Sequence, residues 1–124
     1  MSKYTTGEIA KLTGVSVRTV QYYDSRGILV PSELTEGGRR LYSAEDLKRL
    51  RIICFLREAG VPINQIGQLF AEAHPEKLIS ILLDQQEQAL REEIAEGQKK
   101  LGIIENIKRE LQEVENFSVE SIGD

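Results

Sequence analysis

The fold is decided by residues 5–24, which read TTGEIAKLTGVSVRTVQYYD. Thr5 is followed three residues later by Glu8, the pattern in which each side chain satisfies the other residue's free backbone N–H at the start of a helix. Gly14 tolerates a positive φ angle and ends this first helix, and Ser16 is a suitable N-cap for a second one. Two short helices joined by a tight glycine turn predict a helix-turn-helix.

The second helix is predicted to run to about Arg26 and to stop at Gly27. Four of its residues fall at positions i, i+3, i+4 and i+7 and share one polar face: Arg18, Gln21, Tyr22 and Ser25. The residues left for packing are Val17, Val20 and Tyr23. The polar face is therefore the candidate recognition surface.

A short β-hairpin, or wing, is predicted next, because residues 28–31 and 40–42 flank the pair Gly37-Gly38, which can adopt the positive φ angles of a hairpin turn. Two adjacent arginines, Arg39 and Arg40, lie at the tip of this hairpin and at the start of its second strand. In a solvated loop they are simply charged surface, whereas beside a recognition helix they are donors for phosphate oxygens.

Two further helices follow the wing. Ser43 with Asp46 opens the third helix, whose apolar residues form a stripe buried on more than one side: Leu47, Leu50, Ile52, Ile53, Cys54, Phe55 and Leu56. Gly60 and Pro62 end it. A fourth, shorter helix is predicted over residues 63–73, and it buries Ile66, Leu69 and Phe70.

Residues 76–115 contain no proline and are almost all helix formers, which predicts a helix about 60 Å long at ~1.5 Å per residue. Alternate steps of four and three mark a coiled-coil seam, formed by Leu90, Ile94, Gly97, Leu101, Ile104, Lys108 and Leu111, with Ile107 and Val114 beside it. Gly97 and Lys108 weaken the seam locally. Since the preceding domain is too small to cover the seam, the economical partner is a second copy related by a two-fold axis.

Length, composition and charge restrict the function. The chain has 124 residues, with 40% hydrophobic and 29% charged residues, which is a globular balance in a chain too short for a two-domain enzyme. Its net charge of −4 is unevenly divided, because residues 1–60 carry 10 basic and 7 acidic residues and residues 61–124 carry 6 and 13. A front of +3 and a back of −7 indicate a basic, partner-facing half and an acidic, solvated half.

Several classes of protein are disfavoured. The single cysteine, Cys54, excludes an internal disulfide framework and a multi-cysteine zinc site, and its apolar neighbours indicate an inert thiol. His74 has no ligand-spaced neighbours, so no metal and no cofactor are predicted. The sequence shows no nucleophile paired with a base and no glycine-rich phosphate loop, so it gives no indication of an enzyme. Without a signal peptide or a long apolar run, we expect a soluble, cytoplasmic protein.

Five stretches carry a recognisable pattern: Tyr4-Thr5-Thr6-Gly7-Glu8-Ile9-Ala10, Gly14-Val15-Ser16-Val17-Arg18-Thr19, Tyr22-Tyr23-Asp24, Gly27-Ile28-Leu29 and Arg40-Leu41-Tyr42. In this order they resemble the MerR family of bacterial transcription regulators, closely over roughly residues 4–70 and loosely along the long helix. The resemblance implies a mainly α fold, in which a winged helix-turn-helix with a small β-hairpin wing precedes a long C-terminal helix. It also implies that this helix would form an antiparallel coiled coil in the dimer.

The resemblance also implies a function. A homodimer would set two heads on successive major grooves of a pseudo-palindromic promoter element and distort the spacer so that RNA polymerase engages it. The family's usual logic is repression at rest and activation by a small-molecule effector, which the sequence does not identify. The alternative is a protein-interaction module whose coil is the functional part and whose head does not read DNA.

The polar face and the resemblance together give a predicted DNA-binding set: Ser16, Val17, Arg18, Thr19, Gln21, Tyr22, Tyr23, Arg39, Arg40 and Tyr42. Arg18 is expected to reach a guanine edge or a phosphate. Of the adjacent tyrosines, we expect Tyr22 to face DNA and Tyr23 to pack. Arg40 and Tyr42 match the wing motif as phosphate contacts, and Gln21 departs from the family, which usually has an arginine there.

The predicted domains are a DNA-binding head (residues 1–75), a dimerisation helix (residues 76–116) and a short end (residues 117–124). The predicted dimerisation residues are Leu90, Ile94, Gly97, Leu101, Ile104, Ile107 and Leu111. The short end is interpreted as a frayed tail or as the truncated edge of a missing effector domain.

Overall fold

The helix-turn-helix forms where the sequence predicts it. The computed structural model describes the backbone of residues 3–123 and the side chains of residues 3–115, and in it helix α1 is Thr6–Thr13 and helix α2 is Val17–Ser25. The Glu8 N–H donates to the Thr5 hydroxyl at 3.2 Å, and the Thr5 N–H donates to the Glu8 carboxylate at 2.9 Å. This second hydrogen bond lowers the pKa of the Glu8 carboxyl. The predicted capping box is therefore confirmed.

The turn between the two helices depends on a glycine and a serine. Gly14 has a φ angle of 75°, in the left-handed region that an L side chain rarely adopts, and its N–H closes the end of α1. The Thr19 N–H then donates to the Ser16 hydroxyl at 3.0 Å and starts α2. At the other end of α2, the N–H groups of Ile28 and Leu29 donate to the Tyr23 carbonyl at 2.8 and 3.2 Å.

A three-stranded antiparallel sheet includes the wing. Its strands are β1 (Lys3–Thr5), β2 (Glu33–Leu34) and β3 (Arg40–Ser43), in the order β1-β3-β2. The prediction of a strand over residues 28–31 was wrong, because Ile28 and Leu29 continue from the end of α2 and Leu29 enters the core. Strand β1 was not predicted, since three residues before a helix cap are too few to show a strand period.

Helix α3, Ala44–Glu58, has the predicted cap of Ser43 and Asp46 and buries Leu50, Ile53 and Leu56. The expectation that Phe55 joins this stripe was wrong, because its side chain is 68% exposed. Phe55 lies two residues from Ile53, which at ~100° per residue turns it about 200° away from the buried face. The other members of the predicted stripe, Leu47, Ile52 and Cys54, are partly buried against the core.

The predicted fourth helix is broken. Helix α4 covers only Ile63–Ile66, and a 3₁₀ turn over Leu69–Ala71 follows it. Gly67 stands between the two pieces, and glycine is a poor helix former. Ile66 and Leu69 are nevertheless buried as predicted, and Phe70 is half-buried.

Helix α5, Pro75–Gly123, is longer than predicted at its C-terminal end. The predicted tail, residues 117–124, is helical in its backbone as far as Gly123, and the side chains after Glu115 lie outside the described residues. The start of α5 belongs to the head, because Leu78, Ile79 and Leu82 pack on its core and Gln86 donates to the Ala59 carbonyl at 2.9 Å.

Packing divides the chain into two units, Met1–Gln86 and Glu87–Asp124. The first unit extends beyond the predicted head of residues 1–75 and is the segment called the head from here on. It contains the hydrophobic core, in which Ile9, Val20, Leu50 and Ile53 are fully buried. The second is the remainder of α5. Within the described residues, no helix has the length and apolar character needed to cross a membrane.

The contrast between Leu50 and Phe55 gives a test of the fold. Leu50→Ala removes a fully buried side chain and should lower the free energy of unfolding by about 2–5 kcal/mol. Phe55→Ala on the same helix should change it by no more than about 1 kcal/mol, because the ring is largely exposed. Urea unfolding at one fixed protomer concentration measures both. Equal losses for the two variants would contradict the orientation of α3.

Candidate nucleic-acid interface

Helix α2 presents one polar face to solvent. Arg18, Gln21, Tyr22 and Ser25 are all exposed, as their helical spacing predicts. Val20 and Tyr23 are buried on the opposite side, but Val17 is not, because its side chain is 42% exposed at the first turn of the helix. The expectation that Val17 packs is corrected, and this residue widens the exposed face.

The adjacent tyrosines separate between surface and core. Tyr22 is 45% exposed and Tyr23 only 7%, with their ring centroids 6.1 Å apart. Burial raises the pKa of the Tyr23 phenol. The predicted division of roles is confirmed as regards position, and Tyr23 is thereby removed from the candidate contact set.

Arg26 is a member of this face that the sequence analysis treated only as the end of a helix. Its guanidinium carbon lies 5.8 Å from the centroid of the Tyr22 ring, within the range of a cation–π contact. The spacing of four residues between Tyr22 and Arg26 was the available signal, since i and i+4 side chains are neighbours on a helix. Arg26 adds a second cation to the face that carries Arg18.

The wing is attached to α2 by an ion pair. Arg40 on β3 donates through Nε to the carboxylate of Asp24 on α2. The Arg40 side chain is 47% exposed and that of Asp24 is 16% exposed. Among the described residues no partner binds the two terminal nitrogens of Arg40, so these remain available to an anion. Asp24 was quoted from the sequence only within the stretch Tyr22-Tyr23-Asp24. Its contact with Arg40 was not predicted, because a contact over this chain separation leaves no local pattern.

Arg39 is held at the wing tip by the turn itself. Gly38 has a φ angle of 79° and its N–H donates to the Thr35 carbonyl at 2.8 Å. The Arg39 N–H donates to the Thr35 hydroxyl at 3.0 Å, and the Arg39 side chain is exposed. The predicted turn is confirmed at Gly38, whereas Gly37 does not adopt the positive φ angle expected of the pair.

Tyr42 does not belong to this surface. It is fully buried opposite Tyr4 in the sheet, and no residue that the structure describes hydrogen-bonds its hydroxyl. Burial raises the pKa of the Tyr42 phenol, and the nearby Asp24 carboxylate raises it further. The expectation that the Tyr42 side chain contacts phosphate is wrong, because the sheet places it in the core.

Ser16 and Thr19 stand at the N-terminus of α2. Besides capping the helix, the Ser16 hydroxyl lies 2.9 Å from that of Thr19. The cap therefore occupies part of the hydrogen-bonding capacity of both side chains. What this end still offers is the partial positive charge of the helix dipole beside Arg18.

In the second unit, the predicted dimerisation residues line a continuous exposed stripe. Among them the large apolar side chains are 42–60% exposed: Leu90, Ile94, Leu101, Ile104, Ile107 and Leu111. Gly97 lies in the same stripe, and nothing approaches within 4 Å of the position that a Cβ atom would occupy there. Ile103, also exposed, was not predicted because it falls outside the heptad spacing.

In the described part of the chain, no group of three or more histidine, cysteine or acidic side chains is arranged to hold a metal ion. Burial raises the pKa of the half-buried Cys54 thiol, which keeps it in the unreactive protonated form. His74 is exposed and lies 3.5 Å from Glu76, an ordinary surface pair.

Comparison with known proteins identifies the family. Residues 4–73 match the model of the MerR HTH family regulatory proteins. The chain belongs to this family. The HTH-type transcriptional activator TipA of Streptomyces coelicolor is 47% identical over 66 residues, which are 53% of this chain and 26% of TipA. The HTH-type transcriptional activator mta of Bacillus subtilis is 35% identical over 113 residues, which are 91% of this chain and 42% of mta.

Solved structures of MerR-family regulators share the fold. The N-terminal part of the Bacillus subtilis multidrug transporter activator, MtaN, is 34% identical, with a TM-score of 0.55 over 79% of this chain and 97% of MtaN. HiNmlR, a MerR-family regulator that lacks the sensor domain and was solved bound to promoter DNA, is 27% identical, with a TM-score of 0.60 over 84% of this chain and 86% of its own. The chain thus spans about a quarter of TipA and under half of mta, and the relatives named here are regulators, not enzymes.

Two tyrosines test the corrected contact set. Tyr22→Phe removes an exposed hydroxyl from α2 and should weaken DNA binding several-fold, as expected for the loss of one hydrogen bond of ~1 kcal/mol. Tyr42→Phe removes a buried hydroxyl and should leave DNA affinity unchanged. Fluorescence anisotropy with a labelled duplex from upstream of the gene measures both. A loss confined to Tyr42→Phe would restore the original assignment.

The direction in which Asp24→Asn changes DNA affinity tests whether the ion pair between Asp24 and Arg40 positions the wing. Asp24→Asn removes a negative charge, which by Coulomb attraction alone should strengthen binding to a polyanion. We expect the opposite, a several-fold loss of DNA affinity, because Arg40 is no longer held beside α2.

Glu36→Gln is the matched control for this substitution. Glu36 is exposed in the wing turn, and within the described residues it forms no ion pair. Its loss should leave affinity unchanged or slightly increased. If Asp24→Asn and Glu36→Gln both strengthen binding, the positioning role of Asp24 is excluded.

Proposed function

We propose that this chain is the DNA-reading and dimerising region of a MerR-type transcriptional regulator, which binds a pseudo-palindromic promoter element as a homodimer. The observation that supports this most directly is the joining of the wing to α2 by Asp24 and Arg40. This contact ties the wing to α2, and Arg18 on α2 and Arg40 on the wing are both exposed.

Each group has a role in this proposal. Arg18, on the first turn of α2, enters the major groove and donates to a guanine edge or to a phosphate. Tyr22 and Arg26, stacked on each other, contact the sugar-phosphate backbone beside it. Arg39 and Arg40 on the wing grip phosphates on the flank, and such contacts position the head without reading sequence.

Gln21 contributes a neutral amide where the family usually has an arginine. It is exposed on the same face as Arg18. An amide both donates and accepts, so it suits an adenine edge, whereas an arginine there adds a fixed charge for phosphate or guanine. The substitution therefore lowers the non-specific attraction of this face and leaves more of the affinity to direct base contacts.

The dimer sets the architecture of the DNA site. Two heads related by a two-fold axis require half-sites that are related by the same axis and separated by whole helical turns. Their simultaneous docking distorts the spacer between them, and RNA polymerase then meets a promoter whose geometry depends on the bound regulator. A small-molecule effector that shifts this equilibrium is part of the proposal, and its chemical class is not assigned.

Anisotropy titrations at several salt concentrations test the proposal, with the upstream duplex and an unrelated duplex. Arg18→Ala should abolish the preference for the upstream duplex, with a loss of roughly 5- to 150-fold for a bidentate contact of ~1–3 kcal/mol. Lys77→Ala, which removes an exposed charge on the first turn of α5, should change neither affinity. The slope of the logarithm of the binding constant against the logarithm of the salt concentration gives the number of phosphates contacted.

Energy transfer between dyes at the two ends of the upstream duplex measures the distortion. Binding should shorten the end-to-end distance of that duplex, and Arg18→Ala should prevent the change. The proposed function would be refuted if both duplexes bound equally weakly and Arg18→Ala left this binding unaltered. That result would favour the protein-interaction module.

A further inference from the structure

The exposed stripe of the second unit has a heptad pattern that restricts how two copies can pair. Steps of four and three residues assign Ile94, Leu101 and Lys108 to one core position of the heptad, a. They assign Leu90, Gly97, Ile104 and Leu111 to the other, d. Two members break the apolar pattern, because Gly97 has no side chain and Lys108 carries a charge. Their placement opposite a second copy decides which pairing is favourable.

A parallel, in-register pair is unfavourable at both positions. Each residue of the stripe then faces its own copy, as in parallel coiled coils. Gly97 would face Gly97 across a space that no side chain fills, and two Lys108 ammonium groups would lie close together in the seam. A parallel dimer would therefore contain both of these unfavourable contacts in the same interface.

In an antiparallel pair, a positions of one copy face d positions of the other, and the two copies can slip only by whole heptads. One such register places Gly97 opposite Lys108 of the second copy. It also pairs Leu101 with Ile104 and Ile94 with Leu111, each twice by symmetry, and it sets Leu90 against Glu115 at each edge. The two-fold axis then passes between Gly102 and Ile103.

A glycine in the seam suits the lysine stem. Because Gly97 has no side chain, the methylene groups of Lys108 can cross the seam beside it and carry the ammonium group to solvent. The glycine and the lysine, each unfavourable alone, complement each other in this register. No other antiparallel heptad register places Gly97 of one copy opposite Lys108 of the other.

The neighbouring register is poorer in contacts. A slip of one heptad would pair Ile94 with Ile104 and Gly97 with Leu101, but it would set Leu111 against Glu87 and Leu90 against Lys108. It would also bring Lys100 close to its own copy. Its second apolar pair, Gly97 with Leu101, leaves the leucine facing a position without a side chain, and like charges would be introduced at the centre.

From this complementarity we infer that two copies pair antiparallel with Gly97 of each receiving Lys108 of the other, and with the two-fold axis between Gly102 and Ile103. The inference rests on the proposed homodimer and adds its register. The antiparallel sense accords with the family resemblance, whereas the register follows from residues particular to this chain.

Disulfide cross-linking tests the register in the full chain carrying Cys54→Ser. Proteins with Ile94→Cys alone and Leu111→Cys alone are mixed, allowed to exchange subunits and oxidised under mild conditions. The mixture should give a covalent dimer that joins positions 94 and 111, identified by mass spectrometry. Neither variant alone should cross-link, because each cysteine would lie ~25 Å from its own copy, 17 residues away along the helix.

A second mixture serves as the control for register. Ile94→Cys with Ile104→Cys should not cross-link, because these positions would be offset by one heptad, ~10 Å, beyond the ~4.4–6.8 Å between Cα atoms that a disulfide spans. Cross-linking in this mixture would establish the neighbouring register and overturn the inference. Cross-linking of Ile94→Cys by itself would establish a parallel pair and also overturn it.

Sedimentation of each uncross-linked variant separates the two proposals. A monomer for the unmodified chain would refute the homodimer of the proposed function itself. A dimer that cross-links only through other pairs refutes the register and leaves that function intact. The Gly97→Leu variant adds a check independent of cysteine, because filling the space that receives Lys108 should weaken dimerisation at least several-fold, and unchanged dimerisation would count against the register.

Discussion

The ion pair between Arg40 and Asp24 connects the two elements on which the candidate interface depends. Exposed ion pairs contribute little to stability, but Asp24 is mostly buried, so its attraction for the guanidinium is less screened by water. The pair fixes one geometry for a long side chain that would otherwise sample many. Because Nε is the atom used, the terminal nitrogens stay free to meet an anion, and positioning does not compete with binding.

Strand β3 explains why the wing contributes arginine and not tyrosine to the surface. Arg40 and Tyr42 are two residues apart and therefore point to the same face of the sheet, toward α2. Tyr42 pairs with Tyr4 in the middle of the sheet, where the core covers it, whereas Arg40 pairs with Leu34 at the rim. A shared motif placed both residues on DNA, but depth within the sheet separates them.

What the sequence predicted correctly follows from local chemistry. Caps such as Thr5 with Glu8 act over three residues, so the starts of α1, α2 and α3 could be read directly. The pairing of β1 with β3 and the contact of Asp24 with Arg40 join distant parts of the chain, and no periodicity announces them. Phe55 was misplaced because a stripe of seven apolar residues does not by itself say which of them face the core.

The seam of α5 then acquires a role beyond holding two copies together. Linking two heads makes the second contact with DNA intramolecular, so weak single-head binding becomes tight only where both half-sites can be reached. A slip of one heptad displaces one copy against the other by ~10 Å, a sizeable part of the ~34 Å helical repeat of DNA. In the proposed dimer, Gly97 and Lys108 would lower the strength of the seam but disfavour such slips. The residues that weaken that dimer would therefore be the ones that fix the half-site spacing it reads.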